Sequence, residues 1–159
     1  HTRYWRDWSS DVCSSDLLLH SFAALMGLSL STIFIAYTLG SIVNAFMGAA
    51  VLFGTMSLYG YFTKQSLDSW GKYLIVALIA IVIASIINIF IGSTMFQTVI
   101  SAVAIIVFLG LTAYDTQKIR EMVSLNSTDA EEVSGALTLY LDFINLFISL
   151  LQLFGGKKE

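Results

Sequence analysis

Five apolar stretches, at about 18–39, 42–62, 73–91, 98–114 and 136–154, contain no lysine or arginine. This pattern leaves few folds open. A helix needs about 20 predominantly apolar residues to cross the hydrocarbon core of a bilayer, and each stretch approaches or exceeds that length. Lipid offers no partner for peptide N–H and C=O groups, so segments of this kind must be helical and must close on one another. The remaining composition agrees. Only 12% of the 159 residues are charged and 57% are hydrophobic, with a mean hydropathy of +0.79. A water-soluble domain carries roughly 25% charged residues. The expected fold class is therefore all-α, a polytopic transmembrane bundle of about five spanning helices. The net charge of −3 and the lack of a basic patch exclude nucleic acid as a partner. Proline is absent, so any bends must come from glycine or inserted polar groups. The single cysteine, Cys13, cannot form an internal disulfide.

Residues 7–16 read as the conceptual translation of a common sequencing-adapter oligonucleotide. On that reading, 1–17 is a non-native leader, 18–156 the transmembrane domain and 157–159 a tail.

Short uncharged turns are expected at Gly40-Ser41 and Gly92-Ser93, and charged connections at 63–72 and 117–134. The connections follow the second and fourth spans, so they share one side of the membrane. They carry Lys64, Lys72, Lys118 and Arg120, which makes that side cytoplasmic by the positive-inside rule. Tyr59, Tyr61, Trp70 and Tyr73 border the first connection, and Tyr114 and Tyr140 lie near the second; such rings favour the headgroup level. Lys157 and Lys158 fall on the other side. Small residues four apart, Ala50 with Gly54 and Ala80 with Ala84, are expected to allow close helix packing. Asp129, Glu131 and Glu132 suit a helix start, with Thr128 and Glu131 as a capping box.

Two acidic residues stand out. A carboxylate at the middle of a membrane helix costs about 2.5–3.5 kcal/mol on insertion scales. Asp115 lies near the cytoplasmic end of the fourth span and Asp142 within the fifth. The two helices run antiparallel, so the carboxyls lie at matching depth. In the last span Thr138, Asp142, Asn145, Ser149 and Gln152 are spaced four, three, four and three, one face of a helix. This polar seam on an otherwise apolar helix should face the bundle interior or a water path. For Thr138, Ser149 and Gln152, hydrogen bonding between helices suffices to explain it. Thr112 shares a face with Asp115, as Ser85 does with Asn88; Asn88 reads as a packing residue. If the two aspartates meet, they cannot both ionise cheaply, and the pair holds a shared proton. Such a pair senses pH and offers a cation site, because hard cations such as Ca²⁺ favour carboxylate oxygens. Asp115 and Asp142 are thus both the candidate pH sensor and the candidate calcium ligands, with Thr112, Thr138, Asn145 and Ser149 lining a polar route.

The run Thr112-Ala113-Tyr114-Asp115-Thr116-Gln117-Lys118-Ile119, followed by Gly135 to Phe147 with Tyr140-Leu141-Asp142-Phe143 at its centre, resembles the signature of the Bax inhibitor-1/YccA membrane family. Met56 to Lys64 resembles that family's central segment. The resemblance implies a seven-helix fold with the last helix central. It also implies a pH-sensitive calcium leak whose opening is governed by a di-aspartyl pair, here Asp115 and Asp142. No cofactor is implied beyond calcium as the transported or bound ion, and the expected partners are the bilayer, calcium and protons. The YccA side of the resemblance implies a bacterial inner (cytoplasmic) membrane location. It also suggests an alternative, a non-catalytic regulator that partners a membrane protease or stress response. An intramembrane aspartyl protease is disfavoured, because Tyr140-Leu141 stands before Asp142 where Gly-x-Gly is needed. The family's first two helices, with a basic residue that engages the acidic site, have no counterpart in this chain. The genuine upstream reading frame is expected to encode two further spans and a membrane-facing basic residue; sequencing the locus checks this.

Overall fold

The computed structural model describes residues 2–125 and 129–155. The described residues form five helices and no strand: α1 (Thr2–Ala36), α2 (Leu39–Phe62), α3 (Asp68–Ile91), α4 (Thr94–Ser124) and α5 (Asp129–Phe154). All five are long and apolar enough to cross a membrane. The helices fall into two compact units, one ending at Thr38 and one spanning 39–156.

The first unit is α1, whose backbone stays helical through the adapter-like segment into the apolar run 17–36. Its Ser31 and Thr32 hydroxyls donate to the carbonyls of Leu28 and Ser29 at 2.6 and 2.7 Å. A polar side chain can thus be satisfied inside its own helix without water.

In the second unit α4 packs against α2, α3 and α5, and α2 also packs on α5. The last helix has the largest share of its span buried, with Leu146 and Leu151 almost wholly enclosed. Phe143 of α5 receives Phe46 and Phe53 of α2 edge-on at 5.5 and 5.4 Å between ring centroids, the geometry that aromatic quadrupoles prefer. The outward faces are aliphatic; on α3 they present Ile75, Val76, Ile79, Val82 and Ile83. A contiguous apolar face of this size is untenable in water. In lipid it costs nothing.

Several sequence expectations shift. The first break falls at 37–38, and Gly40-Ser41 lies inside α2. Glycine in a helix costs only about 1 kcal/mol, which packing overrides. The second turn forms as expected: Gly92 is left-handed at φ 70° and donates to the Asn88 carbonyl, and the Ser93 hydroxyl caps α4 by accepting from the Phe96 N–H at 3.2 Å. The charged connections are much shorter than 63–72 and 117–134, because α3 begins at Asp68, α4 continues to Ser124 and α5 begins at Asp129. Residues 117–122 are good helix formers, apart from a single isoleucine, and contain neither glycine nor proline, so the helix outruns the apolar span. Thr128 of the expected capping box and Lys157 and Lys158 lie outside the described residues.

The small residues that bring helices together are not the expected ones. Ala50 and Ala80 are exposed, and a Cβ on Gly54 would meet nothing within 4 Å. The buried small pair on α2 is Ala45 and Ala49. Closest of all is Gly60, where a Cβ would run into the backbone of Ala113 on α4. Backbone cannot yield as a side-chain tip can. Gly60→Val is therefore expected to destabilise the protein by about 3 kcal/mol or more, whereas Gly54→Ala should be neutral or slightly stabilising. Thermal unfolding of both variants in detergent tests the contrast.

Candidate functional site

The antiparallel pairing of α4 and α5 sets the site. Asp142 lies midway along α5 and is 5% exposed. Its carboxyl neighbours that of Asp115 on α4. No N–H or O–H donor among the described residues reaches Asp142 Oδ2. Two ionised carboxylates only accept hydrogen bonds, so a contact between them requires a proton or a cation. Close approach is aided at Gly135, where a Cβ would meet Ile119 Cγ1 at 2.9 Å.

The dyad lies between two cavities. Towards the end of the bundle that carries the charged connections, a cavity of ≈ 310 Å³ is lined by Asp115, Lys118, Glu131, Ser134 and Thr138, among others. Towards the opposite end, a cleft of ≈ 530 Å³ opens between α3, α4 and α5. Its polar wall is Ser85, Gln97, Ser101, Asn145, Ser149 and Gln152, and its remaining lining is aliphatic and aromatic. Asp142 is one helical turn from Thr138 on one side and from Asn145 on the other.

The expected polar seam is thus divided. Asp142 and Ser149 are buried, Asn145 is half-buried, and Thr138 and Gln152 at the two ends are exposed. Thr138 and Asn145 satisfy themselves within α5, donating to the carbonyls of Ser134 and Leu141 at 2.8 Å each. Thr112 is fully buried and donates to the Phe108 carbonyl at 2.7 Å; it lines neither cavity. The expectation of interhelical bonding therefore holds for Gln152 and not for Thr138.

Gln152 belongs to a group of polar residues that sequence reasoning did not assemble. Asn88 on α3 donates to Gln97 Oε1 on α4 at 2.9 Å. Gln97 Nε2 donates to Gln152 Oε1 on α5 at 3.0 Å and reaches Ser101 Oγ at 3.4 Å, and Ser101 donates to Gln152 at 3.2 Å. The available signal was Gln97 and Ser101 at i,i+4 in an apolar helix. At the other end, Gln117 and Arg120 of α4 bind backbone groups of the α2–α3 connection, where a solvated charged loop had been expected. These bonds bring both connections to the same end of the bundle.

The five long apolar helices define a polytopic α-helical integral membrane protein. The chain belongs to the Bax inhibitor-1 family: a family model described as inhibitor of apoptosis-promoting Bax1 matches residues 12–159. It is 47% identical over 148 residues to the inner membrane protein YbhL of Escherichia coli, covering 89% of this chain and 63% of that protein. A membrane protein of Streptococcus pyogenes is 44% identical over 137 residues, covering 84% and 60%. A protein of Borreliella burgdorferi is 44% identical over 156 residues, covering 95% and 66%. The chain therefore spans less than two thirds of the length of these curated relatives.

Gln97 joins three helices through its one amide. Interhelical hydrogen bonds in membranes average about 0.6 kcal/mol each, so Gln97→Met, which loses those to Asn88 and Gln152, is expected to lower stability by about 1 kcal/mol. Unfolding from mixed micelles by a denaturing detergent measures this.

Proposed function

We propose that this chain forms the sensing core of a pH-sensitive calcium leak in a bacterial inner membrane, gated by Asp115 and Asp142. The observation that carries the reading is the position of the pair: two neighbouring carboxyls, one with a buried oxygen that no donor among the described residues satisfies, set between a cavity that Asp115 lines and a polar cleft towards the other end of the bundle. Its relative YbhL is named for the inner membrane, and the positive-inside rule supports a cytoplasmic side for the cavity that Asp115 lines.

The chemistry follows from charge in a low-dielectric surround. With a proton shared between them, the two acids hold α4 and α5 together and the route is blocked by a neutral, hydrogen-bonded pair. Once the proton leaves, two negative charges face each other and either part the helices or take up a cation between them. Calcium suits the second outcome, because it is a hard cation that binds carboxylate oxygens. The pair supplies too few oxygens for a tight site: Ca²⁺ takes about six to eight, and the described residues hold no group of three or more His, Cys, Asp or Glu side chains that could hold a metal. Water must complete the shell. Weak holding suits an ion that passes rather than one that stays, since conduction needs binding that also releases. Beyond the dyad, Asn145, Ser149 and Ser101 supply neutral oxygens along the cleft. The role is non-catalytic, with the bilayer, protons and calcium as the partners.

Protons and calcium then compete for the same oxygens. Calcium affinity is expected to rise with pH through the titration of the pair and to fall as pH drops, because binding requires the deprotonated form. Calcium should therefore raise the unfolding temperature at high pH more than at low pH. Asp142→Asn should abolish both this dependence and the pH response of calcium flux in proteoliposomes. Unchanged flux and an unchanged pH response with both aspartates replaced would sink the channel reading. Absence of conductance together with co-purification of a membrane protease would favour the regulator instead.

A further inference from the structure

Among the described helices α3 packs closely only on α4, which leaves a gap between α3 and α5. The cleft of ≈ 530 Å³ occupies that gap, and its volume falls in the range of small-molecule sites, about 300–1,000 Å³. Val82, Ile86 and Ile89 line it and are exposed, so the cleft opens sideways, towards hydrocarbon. A space that opens into the bilayer core is filled by lipid unless protein covers it. The question is whether the cleft selects what fills it.

Its lining is graded along the bilayer. Asn88 lies in the last turn of α3, Gln97 in the first turn of α4 and Gln152 in the last turn of α5, so their linked amides gather at one membrane boundary. This is the end away from the charged connections. From there the cleft runs inward from Ile89 to Leu78, about 16 Å along a helix and so about half of the 30 Å hydrocarbon core. That is the depth of one leaflet. The deeper wall is apolar, with Leu78 and Val82 of α3, Phe108 of α4 and Ile148 of α5, and its polar groups are the neutral Ser85, Asn145 and Ser149. No Asp, Glu, Lys, Arg or His lines the cleft. An acyl chain matches this shape, with its glycerol at the amides.

The amide cluster also states what the head of that lipid must offer. Asn88 is 7% exposed and donates to Gln97 Oε1, yet no donor among the described residues reaches its own Oδ1. A buried acceptor left in this way is costly. The ester oxygens of a glycerolipid only accept, so they cannot supply the missing proton; a hydroxyl can. A charged head would have no partner along the lining.

We propose that the α3–α4–α5 cleft binds one chain of an uncharged, hydroxyl-bearing glycerolipid of the diacylglycerol class, whose hydroxyl completes the Asn88–Gln97–Gln152 cluster. A chain and a hydrated ion cannot share the cleft, so the bound lipid is also expected to close the route proposed above. That consequence rests on the channel reading; the site itself does not.

The test uses the full chain in nanodiscs of phosphatidylethanolamine and phosphatidylglycerol. These are doped with a diacylglycerol that carries a photoactivatable diazirine midway along one chain. A second probe has the same chains and its hydroxyl capped as an acetate ester. Labelled residues are mapped by mass spectrometry. Labelling by the hydroxyl probe is expected to concentrate on 78–89, 100–108 and 145–149, and to exceed that by the capped probe about fivefold, the effect of one net hydrogen bond. Asn88→Leu should remove this preference and leave the labelled positions unchanged. Ser85→Phe, which fills the cleft, should lower labelling by both probes at least severalfold; Ser85→Leu serves if the phenylalanine prevents folding. Equal labelling of wild type by the two probes overturns the proposal, as does labelling spread evenly over the outward faces of α2 and α3. Exclusion of both probes from the cleft also overturns it and marks protein as the occupant. Calcium flux that is unchanged by bound diacylglycerol overturns the closing role alone. Absence of flux, with hydroxyl-dependent labelling retained, overturns the channel reading and leaves the site standing.

Discussion

A polar group in hydrocarbon has only the protein to bond with, and the second unit is arranged around that constraint. Backbone groups are satisfied by uninterrupted helices, and hydroxyls fold back on their own helix, as at Thr112, Thr116 and Thr138. Amides that cannot do this gather where three helices meet, around Gln97. Asp142 departs from this: its Oδ2, like Ser57 Oγ and Asn88 Oδ1, has no hydrogen-bond partner among the described residues, and its neighbour is another acid. An amide in place of either acid would supply a donor at lower cost, which is why the proposed function is placed on this pair.

α4 connects the parts. It packs on α2, α3 and α5 and presents different chemistry to each. Small residues and a ring face α2 and α3 closely, at Ala113, Gly110 and Tyr114, while Asp115 faces α5. Hydrogen bonds from Gln117 and Arg120 tie the connection to this helix. Under the proposed function, a helix packed closely on one side and facing a second acid on the other would turn a change of charge at the pair into a change of spacing.

Some of this was visible along the chain. The apolar runs identify the helices because length and hydropathy alone decide whether a segment can cross hydrocarbon, and all five runs became helices. Gly92 and Ser93 read as a turn because their roles, a left-handed residue and a hydroxyl cap, depend only on local geometry. The matching depth of Asp115 and Asp142 followed from counting residues along antiparallel helices. Helix ends were less legible. The charged residues at 117–124 look like a loop to a hydropathy window, yet nothing in them stops a helix. The small residues misled for a related reason: Ala50 with Gly54 and Ala45 with Ala49 have the same spacing, and only the direction of the neighbouring helix chooses between them.

The division between what the order of residues determined and what folding decided is one of range. Composition and periodicity settled that this is a membrane-spanning helical protein and which acids are out of place in it, because the cost of a charge in lipid is a property of the residue and its depth. Which groups meet was decided by three-dimensional packing. Asn88 finds Gln97 only after the α3–α4 turn is made, and Gln97 finds Gln152 across 55 residues. Gln117 finds Gln65 and Leu67 across 52 and 50. A side-chain amide carries no mark of its partner, since any donor or acceptor within about 3 Å will serve, and only the assembled helices bring one that close.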